Sequence, residues 1–304
     1  MSAKELVCSG ITKKYGKKEV LKGIDLTLEP GKIYGLIGRN GAGKTTLLGM
    51  MTAQNTTTSG SITYGGEKVW ENEKALAEMC FSRELSPMVM LGQNTMKAKE
   101  YLRMASIYFP YWDKEYAARL IEEFGLDVKQ KICKMSKGQM SMVTIVVALA
   151  SRAPITMLDE PVAGLDVVMR DKFYQLLLQD YAETQRTFIL STHIIEEAAG
   201  LLEEVLVLHD GVIKEKVNTE ELIGQFRYVS GKEEDVNALC GRFEKVHEEG
   251  LGRMRAVCLR GADGEIEKAA EGLSVDIAHV PLSKIFVYLT GGETAVQAGV
   301  KMNG

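Results

Sequence analysis

The order of apolar and polar positions divides the chain into stretches of different character. Residues 5–37 read as strands. Leu6-Val7-Cys8 and Ile11-Thr12 precede a turn at Tyr15-Gly16-Lys17-Lys18, and Ile24, Leu26 and Leu28 then alternate with polar residues, as on a half-buried strand. Glu29-Pro30-Gly31-Lys32 is turn chemistry. The nearly continuous apolar run Ile33-Tyr34-Gly35-Leu36-Ile37 predicts a strand covered on both faces. From about residue 93 to 152 the apolar spacing becomes three to four, which predicts helices over Thr95–Phe109 and Lys114–Phe124, the second stopped by Gly125. A further buried helix is expected from Met140 to Ser151. Strand-like runs return at Ile155–Leu158, Thr187–Leu190 and Val205–Leu208, with helices over 167–184 and 194–202 between them. Strands separated by helices imply a parallel sheet with crossovers, an α/β fold. His209-Asp210-Gly211-Val212-Ile213 predicts a hairpin into a last edge strand.

Beyond about residue 225 the pattern resets. Short strands at Tyr228–Ser230 and Met254–Leu259 and helices over 233–243 and 264–271 predict a small α+β domain. The expected organisation is a main domain over 1–224, with a helical subdomain at about 85–152, and an accessory domain over 225–304.

The bulk numbers narrow the function. At 304 residues, 45% of them apolar and 26% charged, the chain can bury a core in one large and one small domain. A net charge of -4 and a pI near 5.8 argue against a nucleic-acid partner. The cysteines Cys8, Cys80, Cys133, Cys240 and Cys258 form no CxxC pair and do not cluster with the histidines, so reduced, packed thiols are expected and a cysteine–histidine metal site is not. The polar N-terminus lacks a signal-peptide core, and the longest apolar stretch, Met142–Ala150, is too short to span a bilayer. A protein of this kind that serves a membrane does so from one side, through a partner.

Two segments carry phosphate chemistry. Gly38-Arg39-Asn40-Gly41-Ala42-Gly43-Lys44-Thr45 matches the G-x-x-x-x-G-K-[ST] loop between a buried strand and a helix that begins at Thr46-Leu47-Leu48. Its glycines allow backbone amides to point inward at phosphate oxygens, Lys44 supplies a positive charge, and Thr45 supplies a hydroxyl for magnesium. In Ile155-Thr156-Met157-Leu158-Asp159-Glu160 a buried strand ends in two acids, which emerge at the sheet edge where open α/β sheets bind ligands. Asp159 is the candidate magnesium residue, and Glu160 can orient and polarise an attacking water.

With these motifs on one chain, Met135-Ser136-Lys137-Gly138-Gln139 becomes informative. It resembles the Leu-Ser-Gly-Gly-Gln signature of the ATP-binding cassettes of ABC transporters, with Met135 for leucine and Lys137 for glycine. The resemblance covers about residues 4–224. It implies a P-loop cassette with a mostly parallel sheet core, an N-terminal antiparallel β subdomain, a helical subdomain, and ATP with Mg2+ as the bound species. It also implies that Ser136, Gly138, Gln139 and the helix they open close on the γ-phosphate held by a second subunit. Tyr15 matches the aromatic that stacks on adenine; Gly164-Leu165-Asp166 matches the loop that meets its counterpart across the dimer, with Asp166 in the site; His193 matches the switch histidine that links γ-phosphate to Glu160. The phosphate loop adds Gly38, Asn40, Gly41, Ala42, Gly43, Lys44, Thr45 and Thr46, and Lys44, Glu160 and His193 are the candidate catalytic set.

One position departs from the family. Glu84, in Met79-Cys80-Phe81-Ser82-Arg83-Glu84, falls where a glutamine is usual. Its carboxylate could bind magnesium, or lie outside the site paired with Arg83. The closing Leu282–Gly292 segment resembles the end of exporter-type cassettes, which pair with short membrane-spanning permeases. The implied protein is a cytoplasmic ATPase subunit, peripheral on the inner face of the membrane and working as a homodimer or with a related subunit. Two rivals remain: a non-transport cassette ATPase of the translation or DNA-repair type, disfavoured by a single cassette without long coiled coils, and a P-loop kinase, which has no use for Ser136-Lys137-Gly138-Gln139 or His193.

Overall fold

A computed structural model describes residues 4–85, 96–251 and 254–291. The chain forms two compact units, Met1–Glu215 and Lys216–Gly304. The division falls earlier than the change of pattern at 224–225, inside a strand.

The first unit opens with β1 (Leu6–Tyr15), β2 (Lys18–Leu28), β3 (Ile33–Ile37), α1 (Lys44–Met51), β4 (Ser59–Tyr64), β5 (Glu67–Lys68), α2 (Glu73–Ala77) and β6 (Met79–Ser82). Helices α3 (Ala98–Tyr108), α4 (Lys114–Glu123) and α5 (Lys137–Ala150) follow. Then come β7 (Ile155–Asp159), α6 (Val167–Thr184), β8 (Thr187–Ser191), α7 (Ile195–Ala198), β9 (Glu204–His209) and β10 (Val212–Asn218). The strands make two sheets. One is antiparallel, ordered β2-β1-β4-β5; the other is ordered β10-β9-β3-β8-β7-β6, in which β9, β3, β8, β7 and β6 run parallel to one another. Every residue of β3, β7 and β8 is buried, which is why these strands are apolar runs and not alternations. Their C-terminal ends converge on the loops after β3 and β7.

Helix boundaries differ from the pattern where packing mimics helical spacing. The helix expected from Thr95 begins at Ala98; Thr95 lies outside the described residues. The helix expected over 194–202 stops at Ala198. Leu201 and Leu202 are nonetheless buried, and a Cβ placed on Gly35 of β3 would meet Leu202 Cδ1 at 2.4 Å. The apolarity of that stretch comes from packing on the sheet. Gly125 does end α4, in a left-handed conformation at φ +57°.

A charge network fastens α4 and α5 to the sheet. Asp113 caps α4 by accepting from the Tyr116 amide at 2.8 Å, and its other oxygen lies 3.2 Å from Arg152, just past α5. Arg152 also lies 3.1 Å from fully buried Asp180, which receives two hydrogen bonds from Arg186 at 2.8 and 2.7 Å. Burial pulls the Asp113 carboxyl upward, but the Tyr116 amide and the Arg152 guanidinium outweigh it and hold the group below the usual carboxylate range.

The second unit contains α8 (Thr219–Gly224), β11 (Phe226–Gly231), α9 (Glu233–Cys240), β12 (Glu244–Leu251), β13 (Met254–Arg260), α10 (Glu265–Ala269), β14 (Val275–His279) and α11 (Leu282–Leu289). Its antiparallel sheet runs β12-β13-β11-β14, the order of a split β-α-β-β-α-β unit. Val229, Val257 and Leu259 pack with Val236, Leu239 and Ile266 to give this unit its own core. Neither β12 nor β14 is legible in the apolar pattern, because edge strands carry mostly exposed side chains. The expectation of packed thiols holds for Cys8, Cys80 and Cys258 but not for Cys133, which is exposed, or Cys240, which is partly so. Burial pushes the Cys8 thiol up to about 12 and that of Cys80 to about 11, so both stay protonated at neutral pH.

Candidate active site

The loop after β3 is shaped by steric necessity. A Cβ on Gly38 would meet the Leu208 carbonyl at 2.6 Å. Gly41 and Gly43 adopt φ +81° and +109°, where a side chain is strained, and the space beside Gly41 is open. This geometry leaves backbone amides free to face an anion at the start of α1. Lys44, the first residue of α1, is buried and donates from Nζ to the Gly38 carbonyl at 2.7 Å. The loop thus folds over its own lysine, and an incoming phosphate oxygen can take the place of that carbonyl.

Thr45 donates from Oγ1 to Asp159 Oδ2 at 2.5 Å, which joins the phosphate loop to the end of β7. The other carboxylate oxygen, Asp159 Oδ1, is buried without a hydrogen-bond partner, and so is Ser191 Oγ, paired in register on β8. An unpartnered buried carboxylate oxygen is costly, on the order of a few kcal/mol. Two hard oxygens, with one orphaned, fit a magnesium ion whose other ligands are substrate phosphate and water. Among the described residues no group of three His, Cys, Asp or Glu gathers to cage a metal with protein ligands alone.

Glu160 follows Asp159 in a left-handed conformation at φ +51°, a strain of about 1–3 kcal/mol for a side-chain-bearing residue. Its amide donates to the Ser191 carbonyl at 2.8 Å, which pins the turn. Its Oε2 lies 2.6 Å from His193 Nδ1. His193 is 59% exposed, so its far edge faces solvent while its near edge orients the carboxylate. A cleft of about 310 Å³ is lined by Lys18, Val20, Asn40, Gly41, Gly43, Lys44, Thr45, Thr46, Asp159 and Glu160. Lys18 and Val20 are absent from the motifs; the one available signal was the basic pair Lys17-Lys18 in the turn after Tyr15. Tyr15 itself is 50% exposed, with Lys13 Nζ 5.0 Å from its ring centroid.

Ser136, Gly138, Gln139 and Asp166 do not line this cleft. Ser136 caps α5: its Oγ accepts from the Gln139 amide at 3.1 Å, and Gln139 Oε1 accepts from the Ser136 amide at 2.9 Å. Gly138 touches the loop after Glu160 so closely that a Cβ there would lie 2.5 Å from the Gly164 carbonyl. Asp166 caps α6 through the Met169 amide at 2.9 Å, beside Val167 and Val168, which are 67% and 71% exposed. Glu84 does not line the cleft either: its carboxylate lies 3.2 Å from Lys137 Nζ.

Comparison with known proteins agrees with this geometry. The family described as ABC transporter matches residues 21–163. The chain is 32% identical over 234 residues to the ABC transporter ATP-binding protein NatA of Bacillus subtilis, covering 73% of this chain and 90% of that one. It is 27% identical over 300 residues to the bacitracin transport ATP-binding protein of Bacillus licheniformis, covering 93% and 96%. It is 35% identical over 200 residues to the taurine import ATP-binding protein of Escherichia coli O157:H7, covering 65% and 76%. Among solved structures, a dimeric bacterial ABC transporter cassette superposes over 70% of this chain and 98% of its own with a TM-score of 0.61 at 22% identity, a likeness of fold.

Proposed function

The chain belongs to the ATP-binding subunits of ABC transporters, which hydrolyse ATP to power transport, and on that premise we propose that two copies, or one copy and a related subunit, clamp ATP between them to drive export through a membrane-spanning permease. The observation that carries this reading is the joined constellation Lys44–Thr45–Asp159–Glu160–His193, with its orphaned carboxylate oxygen.

The division of labour follows from position. Tyr15 offers an exposed ring for adenine. The amides of Gly38–Thr46 and the Lys44 ammonium hold the β- and γ-phosphates. Magnesium, when bound, neutralises phosphate charge; Thr45 and Asp159 are the side chains to hold it. Glu160 accepts hydrogen bonding from the attacking water and polarises it, and His193 keeps that carboxylate aimed. The α5 N-terminus, led by Ser136 and Gly138, meets the γ-phosphate held by the partner, while Asp166 and the exposed Val167–Val168 pair pack at the same interface. Two bare valines beside a capped helix start are apolar surface that a second subunit would cover.

Among the described residues no helix is long and apolar enough to cross a membrane. In this reading the permease is a separate chain. A groove of about 980 Å³ lies between the α2–β6 segment and α3, with Phe81 and Leu76 on one side and Met104, Ile107 and Tyr108 on the other. Those three α3 residues are 53%, 76% and 69% exposed. This groove is the proposed permease contact. Export is favoured because similarity to the bacitracin transport protein spans 93% of the chain, whereas that to the taurine importer spans 65%. The test is Glu160→Gln. It is expected to bind ATP as the native protein does and to lose turnover by at least about a hundredfold, the scale of a lost general base. Normal hydrolysis in that variant overturns the role of Glu160.

A further inference from the structure

Glu84 and Lys137 are the two motif positions at which the chain departs most in charge from the cassette pattern, and in the fold they touch each other. Glu84 stands two residues beyond β6, where glutamine is usual, and Lys137 is the first residue of α5, where glycine is usual. Lys137 Nζ lies 3.2 Å from Glu84 Oε1. The stem of the same lysine lies across the loop after Glu160: a Cβ on Gly164 would come within 2.8 Å of Lys137 Cγ and 2.9 Å of its Cβ. One side chain thereby joins the end of β6, the start of α5, and the loop that follows the catalytic strand. Ser141 supplies a second tie, donating from Oγ to the Ala163 carbonyl at 2.6 Å.

This arrangement has a mechanical meaning that rests on the clamp described above. The β7 loop belongs to the cleft that this chain fills with its own nucleotide. The α5 N-terminus belongs to the cleft of its mate. We propose that the Glu84–Lys137 clasp positions the α5 N-terminus against the chain's own cleft and so couples occupancy of one ATP site to closure on the other. Both residues act as positioning residues, and neither touches the reacting atoms. The two side chains are 49% and 52% exposed, so the pair is screened by water and salt, and its effect has the scale of an exposed ion pair. A weak contact at such a lever shifts orientation and cooperativity without altering the chemical step.

The experiment is a double-mutant cycle on steady-state ATP hydrolysis, using Glu84→Gln and Lys137→Met, the second of which keeps the stem over Gly164. Each single variant is expected to raise the ATP concentration for half-maximal rate about two- to fivefold and to lower the Hill coefficient, with kcat within about twofold of native. The double variant is expected to be no worse than the poorer single, and the gap between single variants and native protein to close at about 0.5 M salt. The charge swap Glu84→Lys with Lys137→Glu is expected to recover most of the loss, with thermal melting confirming that all variants are folded. Additive effects in the cycle overturn the clasp, as does a swap no better than the singles, or a tighter half-saturation in Glu84→Gln. A rise in magnesium requirement confined to Glu84→Gln overturns it in favour of a metal-ligand role. Failure of the underlying clamp would show separately, as a native protein that never associates with Mg-ATP bound.

Discussion

The phosphate cleft and the start of α5 are both assembled in a single chain, but to opposite degrees of completion. In the cleft, Lys44 and Asp159 are buried, Thr45 is bonded to Asp159, and Glu160 is held by both Ser191 and His193. At the start of α5, the Ser136 and Gln139 side chains bond to each other's backbone amides, and Val167 and Val168 nearby are bare to solvent. One region is a preorganised site awaiting a small ligand. The other is a shaped surface that lies outside its own chain's cleft. On the proposed reading, the difference means that the chemistry is encoded within one copy while its control is shared between two.

The largest effect separating the regions should come from Lys44→Ala. Removing the charge under the phosphates is expected to abolish measurable ATP binding and to cut turnover by more than about a hundredfold, read by nucleotide fluorescence and phosphate release. Gly138→Ala should do the reverse. Its Cβ would press on the Gly164 carbonyl, displacing the α5 start while leaving the cleft intact. Turnover is expected to fall about tenfold or more with monomer nucleotide binding unchanged; loss of binding in that variant would erase the distinction between the two regions. Gly164→Ala combines a left-handed φ of +78° with contacts to Lys137 below 3 Å, and is expected to cost about 1–3 kcal/mol of stability by denaturant melting.

Asp113→Asn gives the smallest effect and probes the support beneath α5. Losing the Arg152 partner should destabilise the first unit by about 1 kcal/mol at neutral pH. The sign of its pH dependence follows from the lowered native value of Asp113. The carboxylate's contribution is fully present above its unfolded value, near ~4, and fades as the pH falls through the still lower native value. The difference between native and variant melting should therefore shrink below about pH 4.

Much of the cleft was legible in the sequence because its constraints are local. Glycines at fixed offsets, a buried strand ending in two acids, and a histidine at the end of the next strand each leave a pattern within a few residues. The site's long-range contacts leave none. Glu84 pairs with Lys137 instead of its neighbour Arg83, and Lys18 and Val20 line the cleft through the fold of the β1–β2 hairpin. The fold divides the same way. Buried β3, β7 and β8 announce themselves as apolar runs, whereas β12, with Glu244, Lys245 and Glu248 exposed, reads as a loop. Leu201 and Leu202 show the opposite failure, apolar spacing that continues past the end of α7.

The central claim is that nucleotide joins two copies through the α5 start. Light scattering of the Glu160→Gln protein, titrated with Mg-ATP and separately with Mg-ADP, tests it most directly. A doubling of mass with Mg-ATP alone, abolished by adding Gly138→Ala, is the predicted result. A protein that stays at monomer mass while saturated with Mg-ATP would contradict the account.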